Sequence, residues 1–151
     1  MTAAETVLAT LLDRYALAVR AKDLAAFTRL YADEVVVFDP FDSWTISGLA
    51  NWRASTAVWF AALGEQPIAV THSQVRAQRH GDLLAGHAWL AYSSPAHAGR
   101  IPRTVGNRCT LVARQQGDDW LIVHEHNSLP IRMDPLQPMF APPNDSAEGK
   151  P

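Results

Sequence analysis

The segment LYADEVVVFDPF, residues 30–41, is where the chain changes from helical to strand periodicity. Its centre, Val35 to Phe38, is a β-branched and aromatic run that ends at Asp39 and Pro40. Such a run, closed by a turn sequence, predicts a short buried strand. The segment therefore separates a helical N-terminal part from the rest of the chain.

Helical stripes lie on both sides of this strand. Apolar residues recur three and four apart over residues 7–19, and Thr2 with Glu5 offers a capping box, which predicts a first helix. Asp23 caps a predicted second, shorter helix. Residues 49–63 again carry a helical stripe and predict a third helix. The apolar side of the second helix holds Leu24, Phe27, Leu30 and Tyr31.

From Ile68 onward the helical period disappears, and four strand-like runs occupy residues 68–77, 83–92, 105–114 and 120–128. Turn sequences separate the first run from the second and the third from the fourth, which predicts antiparallel pairing as a meander. Helices first and strands afterwards is the order of an α+β fold, with three helices packed on a curved antiparallel sheet. A pocket is expected at the open end of such a sheet.

The chain has 151 residues, enough for one core, which we place in a domain of residues 1–140 followed by a loose tail at 141–151. Its 13 Lys and Arg against 15 Asp and Glu give no electrostatic reason to expect nucleic acid or an anionic membrane as partner. The first residues match neither a signal peptide nor a membrane span. The single cysteine, Cys109, excludes an internal disulfide. We therefore expect a cytoplasmic location.

Two motifs resemble the NTF2-like superfamily, which includes SnoaL-like and ketosteroid isomerase-like proteins. The first is the segment at residues 30–41, continuing through Gly48 into the third helix. The second is RCTLV, residues 108–112, followed by WLIVHEHNSLP, residues 120–130. The resemblance covers most of residues 4–130 and implies the cystatin-like cone fold. The superfamily hosts isomerases, dehydratases, cyclases, hydrolases and dimerisation modules, so the fold does not determine the reaction.

Within the superfamily, Asp39-Pro40-Phe41 is similar to the segment that carries the general-base aspartate of ketosteroid isomerases. Tyr15 is similar in its spacing from Asp39 to the oxyanion tyrosine of those enzymes. The resemblance therefore implies Asp39 as the base and Tyr15 as the donor to an oxyanion. Those enzymes use an aspartic acid as the second oxyanion donor, and residues 107–110 contain no acid. Steroid isomerisation is accordingly expected to be slow or absent.

The residues themselves leave two interpretations of this site open. Asp39 lies near Phe38 and Phe41, surroundings that would raise the pKa of its carboxyl and suit proton transfer. Alternatively, Asp39 caps the turn through its own backbone. Tyr15 and Tyr31 lie on apolar helical stripes, where a tyrosine is either a core residue or a functional donor.

His124 and His126 are two residues apart in a predicted strand, so they share one face with Trp120 and Ile122, and Glu125 faces the other way. Three interpretations stay open for the pair. It binds or protonates a substrate, it is a structural hydrogen-bonded pair, or it ligates a metal with a third ligand from another strand. No metal-ligand pattern is visible, and we expect neither a metal nor a cofactor.

Arg108 lies on the strand face opposite Cys109. If that face is concave, Arg108 needs an anion, either Asp39 or a carboxylate on a ligand, and if it is convex, Arg108 is a solvated surface charge. Aromatic rings commonly line cavities of this kind. The expected ligand-binding residues are Tyr31, Trp52, Trp59, Tyr92 and Arg108.

Two functions are compatible with these observations. In the first, the pocket performs acid-base chemistry on a small hydrophobic carbonyl or hydroxyl compound, with Asp39 as base, Tyr15 as oxyanion donor and His124 or His126 as partner. In the second, the chain is a non-catalytic ligand-binding or dimerisation module. In both, we expect a homodimer that pairs through the outer face of the sheet.

Overall fold

The computed structural model describes residues 1–142, in which three helices pack against a curved six-stranded sheet. The helices are α1 (Ala3–Ala21), α2 (Leu24–Thr28) and α3 (Leu49–Leu63). The sheet contains β1 (Tyr31–Phe38), β2 (Ile46–Ser47), β3 (Ala69–His80), β4 (Leu83–Ser94), β5 (Arg103–Gln116) and β6 (Asp119–Ser128). Strands β7 (Ile131–Arg132) and β8 (Gln137–Pro138) form a separate ribbon. The predicted α+β class and the meander of four long strands are confirmed.

Local capping chemistry sets the first helix boundaries. The Thr2 N–H donates to Glu5 Oε2 at 2.8 Å, and the Glu5 N–H donates to Thr2 Oγ1 at 3.2 Å. Asp23 Oδ1 accepts from the Ala26 N–H at 2.9 Å at the start of α2. Both predicted caps are therefore present, and each satisfies a backbone donor that the helix itself leaves unpaired.

The second helix is shorter than predicted, because it ends at Thr28 and Tyr31 begins β1. Apolar spacing alone could not separate Leu30 and Tyr31 from the helical stripe that precedes them. The predicted strand at residues 35–38 is thus only the second half of β1.

The sheet order is β2-β1-β6-β5-β4-β3, and β1 runs parallel to β6. The prediction of a wholly antiparallel sheet is therefore wrong for this pair. The chain leaves β1, passes through α3 and the meander, and returns beside β1 with its last long strand. Val37 lies opposite Glu125, and Phe38 lies opposite His126.

The core lies between the helices and the inner face of the sheet. Leu8 on α1 crosses β4 at Gly86, where a Cβ atom would lie 2.6 Å from Leu8 Cδ2. Glycine at this position allows the close approach of helix and strand. The largest fully buried side chains include Phe27, Leu8, Leu30, Leu84, Leu111, Ile122 and Glu125.

No helix within residues 1–142 is both long enough and apolar enough to cross a membrane. The predicted tail at residues 141–151 lies, beyond residue 142, outside the described residues.

Candidate functional site

A β-bulge in β6 decides which side chains enter the interior. On β5, Val112 pairs with His124 and Ala113 pairs with Ile122, so Val123 is an extra residue on β6. The extra residue shifts the alternation of inner and outer side chains by one position.

Ile122 and Glu125 consequently both face the core, with 1% and 2% of their surfaces exposed. The prediction that His124 and His126 share a face with Trp120 and Ile122 is wrong. The prediction that Glu125 faces away from them is also wrong. Both errors have one cause, because the prediction assumed unbroken alternation along the strand.

Glu125 is held by two neutral donors. The Tyr31 hydroxyl donates to Oε2 at 2.7 Å, and Asn127 Nδ2 donates to Oε1 at 2.6 Å. Within residues 1–142, Glu125 is the only buried acidic or basic side chain, and no salt bridge reaches it. Burial raises the pKa of its carboxyl above the ordinary 4.5, the bonds from Tyr31 and Asn127 oppose that rise, and the charge of Asp39 adds to it.

Tyr15 and Tyr92 form a second polar pair in the interior. Their hydroxyl oxygens lie 2.8 Å apart, joining α1 to β4. One hydroxyl proton makes this bond, and the proton of the accepting hydroxyl remains free for another acceptor. Burial raises the pKa of both phenols, so both are neutral at ordinary pH.

Asp39 follows β1 at the edge of this interior. Val35 and Val37 are buried on the inner face, and alternation places Asp39 on the same face, one residue beyond the paired Phe38 and His126. Its Oδ1 accepts from the Phe41 N–H at 3.2 Å, which is the predicted turn contact. Burial nevertheless raises the pKa of the carboxyl, and the bond from Phe41 opposes that rise.

Aromatic side chains form the helical wall of the site. Trp52 is buried with its ring 6.0 Å from that of Tyr31, and half-buried Trp59 lies 6.0 Å from Tyr92, in both cases between ring centroids. Both predicted tryptophans therefore contact tyrosines of the site. Trp44, in the loop after β1, is 97% exposed and takes no part in this wall.

Three buried polar atoms in the described part of the chain have no hydrogen-bond partner. They are Trp52 Nε1, Asn107 Oδ1 and Asn127 Oδ1. Asn127 pairs across the strands with Cys109, and Asn107 lies two residues before Cys109 on the same inner face. The two asparagines are thus diagonal neighbours on the inner face of the sheet.

The interior is closely packed. The space enclosed by Leu12, Tyr15, Cys109 and Glu125 is too narrow to admit a water molecule. The open pocket predicted at the end of the sheet is therefore not present at this position. A roomier groove lies on the surface between α1 and α2, lined by residues such as Arg14 and Leu17, and it contains none of the predicted site residues.

A family model of the SnoaL-like domain matches residues 8–132. The chain belongs to the SnoaL-like family. The resemblance to the NTF2-like superfamily is thereby confirmed. None of the curated proteins matches this SnoaL-like chain significantly.

Solved structures share the fold of this SnoaL-like domain. An NTF2-like protein of unknown function from Pseudomonas putida is 26% identical, with a TM-score of 0.79, over 93% of this chain and 96% of that chain. A candidate aromatic ring hydroxylase from Novosphingobium aromaticivorans is 19% identical, with a TM-score of 0.72, over 89% and 92%. A candidate dehydratase of the NTF2-like family from Streptomyces avermitilis is 19% identical, with a TM-score of 0.69, over 82% and 93%. At 19% identity these two likenesses concern the fold alone.

The two strand histidines of the SnoaL-like domain lie on the outer face of the sheet. His124 Nδ1 is 2.8 Å from the Val36 carbonyl oxygen, so Nδ1 carries the proton in this bond. The Phe38 ring lies 4.9 Å from the ring of His124 and 5.4 Å from that of His126, centroid to centroid. The two imidazole rings lie 6.4 Å apart, centroid to centroid, so His124 is bonded to the backbone of β1 and not to His126. No group of three or more His, Cys, Asp or Glu side chains in residues 1–142 is placed to hold a metal ion.

Arg108 also lies on the outer face. It is exposed, and its Nε donates to Ser128 Oγ at 3.2 Å. The placement of Arg108 in the ligand cavity is therefore wrong, because its face of β5 is convex. The surface-charge alternative describes its position.

Glu125, Asn127 and Asn107 are the interior polar residues that the sequence did not reveal. The run HEHN at residues 124–127 alternates two histidines with an acid and an amide, so one pair must face inward. Which of the two pairs faces inward depends on the β-bulge at Val123. No residue type near Val123 signals that bulge.

Proposed function

We propose that this SnoaL-like domain is a cofactor-independent acid-base catalyst that acts on a small, uncharged carbonyl or hydroxyl compound inside the cone. The observation that carries the proposal is the Glu125 carboxyl, 2% exposed and bonded only to the neutral donors Tyr31 and Asn127. A buried carboxyl without a counter-charge destabilises the fold. Carboxyls with raised pKa values in such surroundings are typical of proton-transfer sites.

The proposed roles follow from position and protonation. Asp39, at the edge of the site, takes a proton from the carbon next to a carbonyl, and the electron pair moves to the carbonyl oxygen. The free hydroxyl proton of the Tyr15 and Tyr92 pair donates a hydrogen bond to that oxyanion. Glu125, whose raised pKa lets it hold a proton at higher pH, returns a proton to the substrate, and after product release Asp39 loses its proton to water while Glu125 regains one from water. His124 and His126 have no role in this scheme, because they lie on the outer face.

The second candidate function is a non-catalytic module, and the close packing of the interior favours it. In that case the bonds among Tyr31, Glu125 and Asn127 only fix β1 against β6. The catalytic proposal requires side chains around Tyr15 and Glu125 to move apart when a substrate enters, since water alone does not fit between them. The two functions differ in one observable, the exchange of carbon-bound protons.

A proton-exchange experiment tests the catalytic proposal without knowledge of the natural substrate. The protein is incubated with cyclopentanone in deuterated water, and loss of the protons next to the carbonyl is followed by nuclear magnetic resonance. We expect the wild type to accelerate exchange, and Asp39→Asn and Glu125→Gln each to reduce the acceleration by about 100-fold or more. Asp118→Asn, in the exposed turn before β6, is the matched control and should exchange at the wild-type rate.

If exchange is no faster than in buffer, or if neither substitution changes its rate, the hydrogen bonds among Tyr31, Glu125 and Asn127 have only a structural role. Circular dichroism of each variant establishes that a lost rate does not come from a lost fold.

We also propose that the chain forms a homodimer through the outer face of the sheet. The helices cover only the inner face, and Phe38 and Trp89 on the outer face are 39% and 43% exposed. Exposed apolar side chains on an uncovered sheet favour association of two copies.

A further inference from the structure

Histidines are concentrated on the outer face of the sheet, the face that the helices leave uncovered. Four of the six histidines lie there, namely His80 on β3, His87 on β4, and His124 and His126 on β6. His87 and His126 pair with Thr110 of β5 from opposite sides, and His126 also pairs with Phe38 of β1. These side chains therefore form one row across four strands.

The row lies among the exposed aromatic side chains of the proposed dimer interface. Trp89, two residues after His87 on β4, is 43% exposed, and Phe38 at the other end of the row is 39% exposed. His87 and His126 are exposed as well. Two copies that bury Trp89 and Phe38 against each other therefore bury these histidines with them.

The other charged groups of this face offer little negative charge to a protonated histidine. Its arginines are Arg76, Arg108 and Arg114. Among the described strands, Glu34 is the one acid directed to the outer face, and it bonds to Arg114, which lowers the pKa of its carboxyl below the ordinary 4.5. Asp119, at the start of β6, is 3.6 Å from Arg14 of α1 instead. Glu5 of α1 approaches Arg76 at the sheet edge, at 3.9 Å.

An interface between two copies of this face brings like groups together. In a two-fold symmetric interface the same patch is used twice, so each group meets members of its own set. Protonated histidines of one copy would therefore meet histidines, arginines or apolar rings of the second copy, whatever the angle between the two sheets. Like charges brought together in an interface are strongly unfavourable, and neutral imidazoles are free of that cost.

We propose that the homodimer is controlled by pH, stable while these histidines are neutral and dissociating when they gain protons in mildly acidic solution. The inference rests on the proposed pairing through the outer face and adds its regulation. Histidine is the side chain whose charge ordinarily changes in this pH range. Arginine keeps its charge throughout, so Arg108 lowers the affinity at every pH and contributes nothing to the change.

His124 can take up this charge without rearrangement of the strand. Its Nδ1 already carries the proton in the bond to the Val36 carbonyl oxygen, so the added proton binds at Nε2 and that bond is kept. Acidification therefore changes the charge of the face while the sheet beneath it stays the same.

Sedimentation equilibrium of the full chain at about pH 7.5 and about pH 5.5 tests the proposal, since histidine changes charge between these values. We expect the dissociation constant of the wild-type dimer to rise about tenfold or more at the lower pH. The double substitution His87→Gln with His126→Gln removes two titrating groups at similar size and should abolish most of that rise. His97→Gln, in the loop between β4 and β5, is the matched control and should keep the wild-type rise.

A second variant tests the sign of the effect. His126→Lys carries its charge at both pH values and should weaken the dimer even at the higher pH. Circular dichroism at the lower pH establishes that dissociation does not come from unfolding.

A wild type that is dimeric with the same dissociation constant at both pH values overturns the pH control and leaves the homodimer standing. A rise that the double substitution does not reduce overturns the assignment to these histidines. A wild type that is monomeric at both pH values overturns the homodimer itself, and the pH control with it.

Discussion

Glu125 gives the stability of this domain a pH dependence of known sign. Burial raises the pKa of its carboxyl in the folded state above the ordinary 4.5 of the unfolded chain. Between those two values the folded state binds more protons than the unfolded state, so its stability falls as pH rises. Each unit of pKa difference corresponds to about 1.4 kcal/mol. Below pH 4.5 the contribution of Glu125 is fully retained, since the carboxyl is then protonated in both states.

Glu125→Gln removes this titration together with its coupling to Asp39, whose charge contributes to the raised pKa of Glu125. Urea denaturation from pH 4 to pH 8 should show the variant gaining stability relative to the wild type as pH rises. A difference that stays constant over this range would mean that the pKa of Glu125 is not raised by folding.

A related prediction concerns the Tyr31 hydroxyl, which bonds to the same Glu125 carboxyl. Tyr31→Phe keeps the ring against Trp52 and removes the hydroxyl that donates to Oε2. We expect a loss of about 1–3 kcal/mol in the free energy of unfolding, because a buried acceptor is left unpaired. The loss should grow with pH, since the removed bond stabilises the ionised carboxylate. A pH-independent loss measured by urea denaturation would contradict this explanation.

At the scale of elements, the sequence predicts the helices and strands whose positions depend on residues close together in the chain. The capping box of α1 and the apolar stripes of α1 and α3 involve residues close in sequence, and the strand runs are bounded by turn sequences. Local sequence does not determine which side chains of β6 face the core, because the bulge at Val123 arises from pairing with β5 across a turn. Regular alternation without the bulge would place the histidines inside and Glu125 outside. The fold was therefore predictable, and the polar content of the site was not.

The bulge at Val123 leads to a prediction about single-residue deletions in β6. Deleting Val123 leaves Ile122 and Glu125 on the inner face, since the remaining residues then alternate regularly. We expect this variant to fold with a loss of about 1–3 kcal/mol and to retain the pH dependence due to Glu125. Deleting His126 instead moves Asn127 to the outer face and breaks its bond to Glu125. Thermal melts in which the two deletions are equally damaging would contradict this account of the strand.

At the scale of the whole molecule, the parallel pairing of β1 with β6 joins the two halves of the site. It pairs Phe38, which directly precedes Asp39, with His126, which directly precedes Asn127. The same pairing brings Phe38 against His124 and His126 on the other side of the sheet. One strand pair thus builds the inner site and part of the outer face together.

The proposed homodimer is tested on that outer face. Trp89→Glu places a charge on a side chain that is 43% exposed in the middle of the sheet, and burial of this charge in an interface would be unfavourable. We expect sedimentation equilibrium to give a dimer for the wild type and a monomer for Trp89→Glu. Trp44→Glu is the matched control, because Trp44 is 97% exposed in a loop away from the sheet face. A monomeric wild type, or dissociation caused only by Trp44→Glu, would rule out pairing through the sheet, since that pairing requires Trp89 and leaves Trp44 in solvent.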